Sequence, residues 1–278
     1  MKRAIDIPPF GELSDPRVLA GLAADAEENG WDGFFVWDHI VHRSSLRSVA
    51  DPWVALAAVA CATSRLRIGP LVTPLARRRV HKLARETVTL DLLSSGRLIL
   101  GVGLGSARNG ELEPFGEVAD PRERAVLLDR GLAELSRYWA GGFEPVPLQR
   151  PRIPVWVGGI LPATRTVDRA ARWDGMVPIR YSGGRLATVS PEDIADVGAR
   201  IAAIRGSAAA AGGDADNSKK RAAPGSDLVV WAEAADAPAA VPELIRPYQE
   251  AGATWWIESA RPGDGWWEGV QRRVAAGR

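Results

Sequence analysis

The sequence predicts one α/β domain, a single (β/α)8 barrel of the TIM type, and three observations support this. Strand-like apolar stretches alternate strictly with helix-like stretches along the whole chain, and such alternation requires a parallel sheet. Eight strand–helix pairs can be counted, and eight pairs in about 250 residues is the usual size of a closed barrel. No linker divides residues 1–278, so they form one domain. An open doubly wound sheet is the alternative.

The first half of the chain supplies four of the pairs. Gly30 stops the first helix, and Asp51 before Pro52 is a good N-cap followed by proline at the first helical position of the second. The strands are RAIDIPPF, GFFVW, RLRIGPLVT and RLILGVG; the helices are PRVLAGLAADAEENG, DPWVALAAVACATS, residues 77–95 and PRERAVLLDRGLAELSRYW.

The second half supplies the other four. Ser190 is the N-cap of the sixth helix, with Asp193 at the capping-box position. The low-complexity residues 206–225 predict a mobile loop before strand seven. The strands are IPVWVGG, DGMVPI, DLVVWAE and TWWIES; the helices are PATRTVDRAARW, SPEDIADVGARIAAIRGSAAA, PAAVPELIRPYQEAG and GWWEGVQRRVAAG.

The composition excludes several classes of function. A net charge of +1 gives no sign of a nucleic-acid partner or of an acidic membrane surface. Cys61 is the only cysteine, which excludes a disulfide framework and a thiolate metal cluster. His39 and His42 lack further ligands at metal-binding spacing, so no metal site is expected. Without a signal segment or an apolar run of about 18 residues, we expect a cytoplasmic protein.

One strand ends abruptly on chemically active residues. The apolar run GFFVW is followed directly by Asp38 and His39. In a barrel of this type the carboxyl ends of the strands build the active site. We therefore expect Asp38 and His39 to lie at the barrel mouth. The alternative is a loop histidine whose hydrogen bonds are satisfied by Asp38 or by a backbone carbonyl.

Glycines follow two other strands. Gly101, Gly103 and Gly105 alternate at the end of strand four, where a missing side chain lets a flat ring or a phosphate approach the backbone. Tight turns or barrel packing would explain them equally. Gly158 and Gly159 precede a helix and predict a backbone anion nest. Gly175 and Met176 are a weaker version of the same feature.

Further candidates lie at other strand ends. Pro70 and Pro74 imply an unusual, rigid backbone after strand three. Residues 77–79 are three arginines, read either as a solvated basic turn or as an anion contact. Glu233 and Glu258 end strands seven and eight and could face the mouth or the surface. Two aromatic pairs, Trp255-Trp256 and Trp266-Trp267, fit core packing, a subunit interface or substrate stacking.

These stretches, in this order, resemble the bacterial luciferase-like flavin-dependent oxidoreductases. The similarity lies in AEENGWDGFFVWDHI, in the long segment from DPWVALAAVACATS to LILGVGLGS, in FGEVADPRERAVLLDRGLAEL and in IPVWVGG. It covers residues 1–179 well and the last third loosely. It implies a (β/α)8 barrel with FMN, or alternatively coenzyme F420, in its mouth. A histidine near the ring and the substrate pocket matches His39, so the resemblance implies that His39 is catalytic, with Asp38 capping or orienting the loop. The implied cofactor-binding residues are Leu71, Val72, Gly103, Gly105, Ser106, Asn109, Gly158, Gly159, Gly175 and Met176.

Some details of the resemblance bear on the cofactor. The family often has a non-proline cis peptide where Leu71-Val72 stands here. Pro70 replaces a small hydroxyl residue or glycine, so the flavin contact there would differ. Ser106 stands where the deazaflavin-dependent sugar-phosphate dehydrogenases carry a carboxylate, which argues against their chemistry. Asn109 matches a polar position of that subgroup, which keeps deazaflavin open.

The first expectation is therefore a monooxygenase using reduced FMN and oxygen on a small organic substrate. The alternatives are an F420-dependent hydride-transfer oxidoreductase, a non-catalytic flavin-binding barrel, and a metal- or phosphate-dependent hydrolase or isomerase. A homodimer is expected, and a separate flavin reductase is a candidate partner of the FMN enzyme.

Overall fold

A computed structural model describes residues 1–42, 46–182, 185–210, 225–233, 241–263 and 265–277. The strands are β1 (Lys2–Ile7), β2 (Gly33–Val36), β3 (Arg67–Pro70), β4 (Thr73–Pro74), β5 (Leu100–Gly103), β6 (Val155–Ile160), β7 (Gly175–Ser182), β8 (Arg185–Ala187), β9 (Asp227–Glu233) and β10 (Trp255–Ser259). The helices are α1 (Pro16–Glu28), α2 (Pro52–Ala62), α3 (Val80–Leu93), α4 (Pro121–Arg137), α5 (Thr164–Ala170), α6 (Pro191–Ala210), α7 (Val241–Glu250) and α8 (Trp266–Ala275).

The strands form a parallel barrel, as predicted. Their order is β3-β2-β1-β10-β9-β7-β6-β5-β4, and only β8 pairs antiparallel, as a hairpin with β7. A parallel bridge between Ile68 and Leu98 joins β3 to the chain entering β5 and closes the ring. Because β3 and β4 are two parts of one strand, interrupted at residues 71–72, the barrel contains the eight strands expected from the sequence.

The core has two layers, which explains why most strands are apolar on both faces. Inward-facing side chains fill the barrel with large aromatic rings, including Phe35, Trp156 and Trp255. Outward-facing side chains pack against the helices in a second, larger cluster. Trp255 and Trp256 are fully buried in these two layers, and Trp266 and Trp267 pack at the edge of the outer one.

The helix starts follow the predicted capping chemistry. The Asp51 carboxylate accepts hydrogen bonds from the N–H groups of Trp53 and Val54. Ser190 and Asp193 cap each other reciprocally at the start of α6. Because α6 continues to Ala210, the predicted loop 206–225 is wrong for its first five residues, and residues 211–224 lie outside the described part. Among the described residues, no helix is long and apolar enough to span a membrane.

Candidate active site

The structure brings the predicted rim residues to one end of the barrel. His39 follows β2, Leu71 and Val72 separate β3 from β4, and Gly103 ends β5. Strand register places these ends side by side, since Val36 pairs with Pro70 and Pro74 pairs with Gly103. The predicted convergence at the carboxyl ends of the strands is therefore confirmed.

His39 is paired with a carboxylate that the sequence analysis did not identify. Its Nδ1 lies 2.8 Å from Oε2 of Glu111, whose side chain is 2% exposed, while that of His39 is 21% exposed. Oε1 of Glu111 accepts from the N–H of Ile40 at 2.6 Å and from Arg77 at 3.1 Å. Burial opposes ionisation of Glu111, but these partners outweigh it and hold the pKa of its carboxyl below the usual value. Glu111 is therefore a carboxylate near neutrality.

Asp38 turns away from His39 and anchors the start of α3. Its Oδ1 accepts from Arg77 at 2.8 Å and from Arg78 at 2.6 Å, and the three side chains are buried or nearly so. Neither reading of the arginine run was correct for Arg77 and Arg78, which are neither a solvated turn nor an open anion contact. Their charges neutralise Asp38 and Glu111, a pairing that spans more than 30 residues of sequence.

Aromatic rings surround the imidazole. The ring centroids of Trp37, Phe10 and His42 lie 5.7, 6.1 and 5.3 Å from that of His39. Burial lowers the pKa of His42, and the neighbouring His39 lowers it further, which favours the neutral ring. Trp231, at the end of β9, extends the aromatic surface through an edge contact with Trp37. This part of the mouth is therefore apolar.

Asp6 is a second functional candidate that the sequence analysis missed. It lies on β1, fully buried, and its Oδ2 accepts from Trp37 Nε1, Trp231 Nε1 and Ser259 Oγ. Burial raises the pKa of Asp6 to about 7, against the opposing effect of these hydrogen bonds. A signal was present in the sequence, because Asp6 is a carboxylate within the apolar strand RAIDIPPF.

A backbone bulge occupies the end of strand three, as the resemblance implied. A Cβ on Gly101 would lie 1.8 Å from the carbonyl oxygen of Leu71, so only glycine admits the bulge. Val72 packs over two further glycines, with Cγ atoms 2.6 Å from a Cβ at Gly103 and 2.9 Å from one at Gly158. These glycines therefore make room for Val72, which agrees with the packing alternative. The sequence analysis had expected them to leave the backbone open to a ring or a phosphate. The bulge lies where the resemblance implied a flavin-class ring, and contact with such a ring stays a prediction.

The expected non-proline cis peptide is not formed. In the described residues the cis bonds precede Pro145, Pro151 and Pro162, and the Leu71–Val72 bond is trans. Pro70 ends β3 in the parallel ladder with β2, so it belongs to the barrel wall. Its predicted effect on the flavin contact stays a prediction.

The predicted phosphate nest is wrong in its geometry. Gly158 and Gly159 lie inside β6, paired with β7, so their backbone is extended and does not form a turn. A Cβ on Gly159 would lie 1.7 Å from Cγ2 of Thr166, which explains the glycine by close helix–strand packing. Whether either glycine contacts a cofactor stays a prediction.

Gly175 and Met176 lie at the wrong end of the barrel for a mouth residue. Gly175 begins β7 and pairs with Trp156 and Asp227, at the amino ends of the strands. Met176 is fully buried. The strand continues to Ser182, beyond the predicted segment DGMVPI, so its carboxyl end is formed by other residues.

The loop after β5 is held by α4. Arg124 donates to the carbonyl oxygens of Leu104 and Gly105 at 2.8 and 2.9 Å, and Gly105 has a positive φ of 74°. Ser106 caps the following short helix by accepting from the N–H of Arg108. The side chain of Asn109 lies outside the described part. Cofactor contacts by Gly105, Ser106 and Asn109 stay predictions.

The two late carboxylates do not join this site. Glu258 faces the outer layer and is buried between Arg3 and Arg273. Glu233 is exposed at the end of β9 and pairs with Arg261. Register sets which face of the sheet each of these two carboxylates occupies, because neighbouring residues of a strand point to opposite sides of the sheet.

Comparisons with known proteins agree with this fold. The family model described as luciferase-like monooxygenase matches residues 8–276. An F420-dependent glucose-6-phosphate dehydrogenase of Beutenbergia cavernae is 35% identical over 192 residues, 62% of this chain and 55% of that protein. The chain thus spans about half the length of the curated relatives it matches.

Solved structures share the fold at low identity. An F420-dependent secondary alcohol dehydrogenase in complex with an F420-acetone adduct superposes with a TM-score of 0.69 at 17% identity, covering 99% of this chain and 96% of that one. The oxygenating constituent of 3,6-diketocamphane monooxygenase from Pseudomonas putida, in complex with FMN, gives 0.67 at 15% identity, with the same coverage. The chain belongs to the luciferase-like monooxygenase family.

Proposed function

We propose that the protein is a coenzyme F420-dependent oxidoreductase that interconverts a small, uncharged alcohol and its carbonyl compound. The observation that carries the proposal is the contact of His39 Nδ1 with Glu111 at the barrel mouth. The curated relatives named above as F420-dependent enzymes support the choice of cofactor. A bound deazaflavin would supply hydride transfer, while the protein supplies binding, orientation and proton transfer.

The site residues have distinct parts in this proposal. With Nδ1 held by Glu111, His39 has Nε2 to exchange a proton with the substrate oxygen. The Glu111 carboxylate fixes the ring and stabilises the imidazolium that forms, and Arg77 holds Glu111 in place. Trp37 and Phe10 exclude water from the imidazole. The bulge at Leu71 and Val72 would support the deazaflavin ring.

The charges of the rim favour an uncharged substrate over a sugar phosphate. Within the described residues, four rim arginines already pair with carboxylates: Arg77 and Arg78 with Asp38, Arg180 with Asp193, and Arg261 with Glu233. Releasing Arg180 or Arg261 for a phosphate would strand its carboxylate, and releasing Arg77 or Arg78 would leave the buried Asp38 with one guanidinium instead of two. The aromatic surroundings of His39 suit an apolar alcohol instead.

Monooxygenation with reduced FMN is the second candidate. It is favoured by the likeness to an FMN-containing monooxygenase, whose TM-score is close to that of the F420-dependent alcohol dehydrogenase. A separate flavin reductase belongs to this route, and a homodimer is proposed for either.

The test is a cofactor titration followed by turnover. The purified protein is titrated with F420 and with FMN, and binding is followed by quenching of tryptophan fluorescence. Loss of the F420 absorbance is then measured with short secondary alcohols and with glucose 6-phosphate, and oxygen uptake with reduced FMN. We expect F420 to bind more tightly and to be reduced by the uncharged alcohols. Binding of FMN alone, with oxygen uptake, would establish the second candidate instead.

A further inference from the structure

The Asp6 carboxyl has an unusual, one-sided set of partners. Trp37 Nε1, Trp231 Nε1 and Ser259 Oγ lie 2.7, 3.0 and 3.2 Å from the same oxygen, Oδ2. The other oxygen, Oδ1, is buried and has no hydrogen-bond partner among the described residues. The group thus ties β1 to the ends of β2, β9 and β10, just below the mouth.

This arrangement fits a carboxyl that holds a proton for part of the time. If Asp6 is ionised, Oδ1 is a buried acceptor without a donor, which is costly. Protonation on Oδ1 removes the buried negative charge, and Oδ2, as the carbonyl oxygen, still accepts from its indole and hydroxyl donors. No described cation forms an ion pair with Asp6. Burial raises the pKa of Asp6 to about 7, so the two forms exchange near neutrality.

Two links connect Asp6 to His39. The indole that donates the shortest bond to Asp6, that of Trp37, meets the His39 ring edge-on, with centroids 5.7 Å apart and planes at 62°. The positive charge of His39 and the negative charge of Asp6 also attract each other.

The other charged groups around Asp6 have partners of their own. After β2, Asp38 pairs with Arg77 and Arg78, and after β5, Glu111 pairs with His39 and Arg77. At the end of β9, Glu233 pairs with Arg261. In the outer layer, Glu258 pairs with Arg3 and Arg273. His42 meets His39 edge-on, and burial lowers its pKa. The titratable group to which Asp6 couples is thus His39.

We propose that Asp6 is a positioning residue for His39, which holds Trp37 against the imidazole and favours its protonated form by negative charge. The inference rests on the proposed function in that His39 is taken as the proton-transfer group. Two carboxyl groups then act on one imidazole: Glu111 by direct contact at Nδ1, and Asp6 through the indole and through space.

The experiment is an NMR titration of the three histidine rings, compared between the unmodified protein and Asp6→Asn. Asn keeps an oxygen for the indole donors but carries no charge. The titration midpoint of the His39 ring should move to lower pH by about half a unit or more. His81, exposed on α3, is the internal reference, and Asp168→Asn, which removes an exposed carboxylate on α5, should leave the His39 midpoint where it was.

Trp37→Phe keeps the proposal testable if Asp6→Asn does not fold. Phenylalanine retains a ring beside His39 but loses the donor to Asp6, so Asp6 holds its proton more tightly and the His39 midpoint falls in the same direction. An unchanged midpoint in the folded variant overturns the proposal. Activity measurements separate a failure of this proposal from a failure of the proposed function. If both hold, the acid limb of the pH–rate profile should move with the His39 midpoint. A shifted His39 midpoint in a protein without F420-dependent turnover would refute the proposed function but support the coupling between Asp6 and His39.

Discussion

Two buried clusters of charged side chains lie in different layers of the barrel. They differ in whether they contain a group that can change its charge near neutral pH. In the outer layer, Glu258 is enclosed by Arg3 and Arg273, whose guanidinium carbons lie 5.1 and 4.6 Å from the ring of Trp31. At the mouth, Glu111 is shared between Arg77 and His39. Arginine does not titrate near neutrality, whereas an imidazole does.

The comparison teaches that burial of charge does not by itself mark an active site. The outer cluster joins β1, β10 and α8 through one carboxylate and two arginines, and arginine stays charged near neutral pH. The mouth cluster contains one partly exposed group that can gain or lose a proton, at the carboxyl ends of the strands. The predictions below separate these roles.

The largest effect on stability is expected at Glu258. Glu258→Gln leaves two buried guanidinium groups without a carboxylate, and such a loss typically costs about 3–5 kcal/mol of unfolding free energy. Urea unfolding measures this cost. The matched control is Glu233→Gln on the adjacent strand, an exposed partner of Arg261, which should cost less than about 1 kcal/mol. Equal costs for the two variants would contradict the assignment of Glu258 to the core.

The largest effect on turnover among the partners of His39 is expected at Glu111. Glu111→Gln keeps an acceptor but removes the charge that stabilises the imidazolium, and F420-dependent turnover should fall by about 10²-fold. Glu113→Gln, exposed two residues further on, should leave turnover unchanged. Turnover of Glu111→Gln within a factor of two of the unmodified protein would exclude the pair from the mechanism.

The same variant has a defined pH dependence of stability. Because the pKa of Glu111 is lowered on folding, its charge stabilises the folded state above the ordinary value of 4.5 and loses this effect as pH falls through the lowered pKa. The stability deficit of Glu111→Gln should therefore be present at neutral pH and shrink in acid. A deficit that grows in acid would contradict the direction of the shift.

Asp6 should give the opposite pH dependence. Its pKa rises from 3.8 to about 7 on folding, so ionisation destabilises the folded state increasingly as pH rises between these values. Relative to the unmodified protein, Asp6→Asn should gain about 2 kcal/mol of stability between pH 5 and pH 7. Denaturant unfolding at several pH values measures this. A difference that does not vary with pH would mean that Asp6 titrates normally.

The smallest effect is expected at the bulge. Gly103→Ala forces Val72 to shift, because the added Cβ would lie 2.6 Å from its Cγ1, and we expect a loss of about 1 kcal/mol. Val72→Ala in the same chain should recover most of this loss, which a thermal-unfolding comparison of the single and double variants measures. Strictly additive losses would show that the two residues are not in contact.

The sequence predicted the architecture because the barrel depends on local patterns. Each of the eight strands was marked by an apolar run, and caps such as Asp51 marked helix starts. It also predicted that His39, Leu71, Gly103 and Gly158 meet at one rim, since parallel strands end on the same side.

The partners of these residues could not be predicted in the same way. Glu111 lies 72 positions from His39 in an aperiodic loop, so nothing in its surroundings indicates the pairing. Gly175 was placed at the mouth, and Glu258 was left open between the mouth and the surface, because the orientation and length of a strand depend on its register with its neighbours. Asp6 carried a readable signal, a carboxylate inside an apolar strand, but its role depends on indoles from two distant strands.

The central claim is that His39 transfers the proton of an F420-dependent reaction, and His39→Gln tests it most directly. Glutamine keeps a hydrogen-bonding side chain but cannot exchange a proton near neutral pH. We expect turnover with F420 to fall by about 10²-fold or more, while F420 affinity and the unfolding midpoint hardly change. His81→Gln, which removes an exposed imidazole on α3, should have no effect on turnover. Turnover of His39→Gln equal to that of His81→Gln would contradict the account.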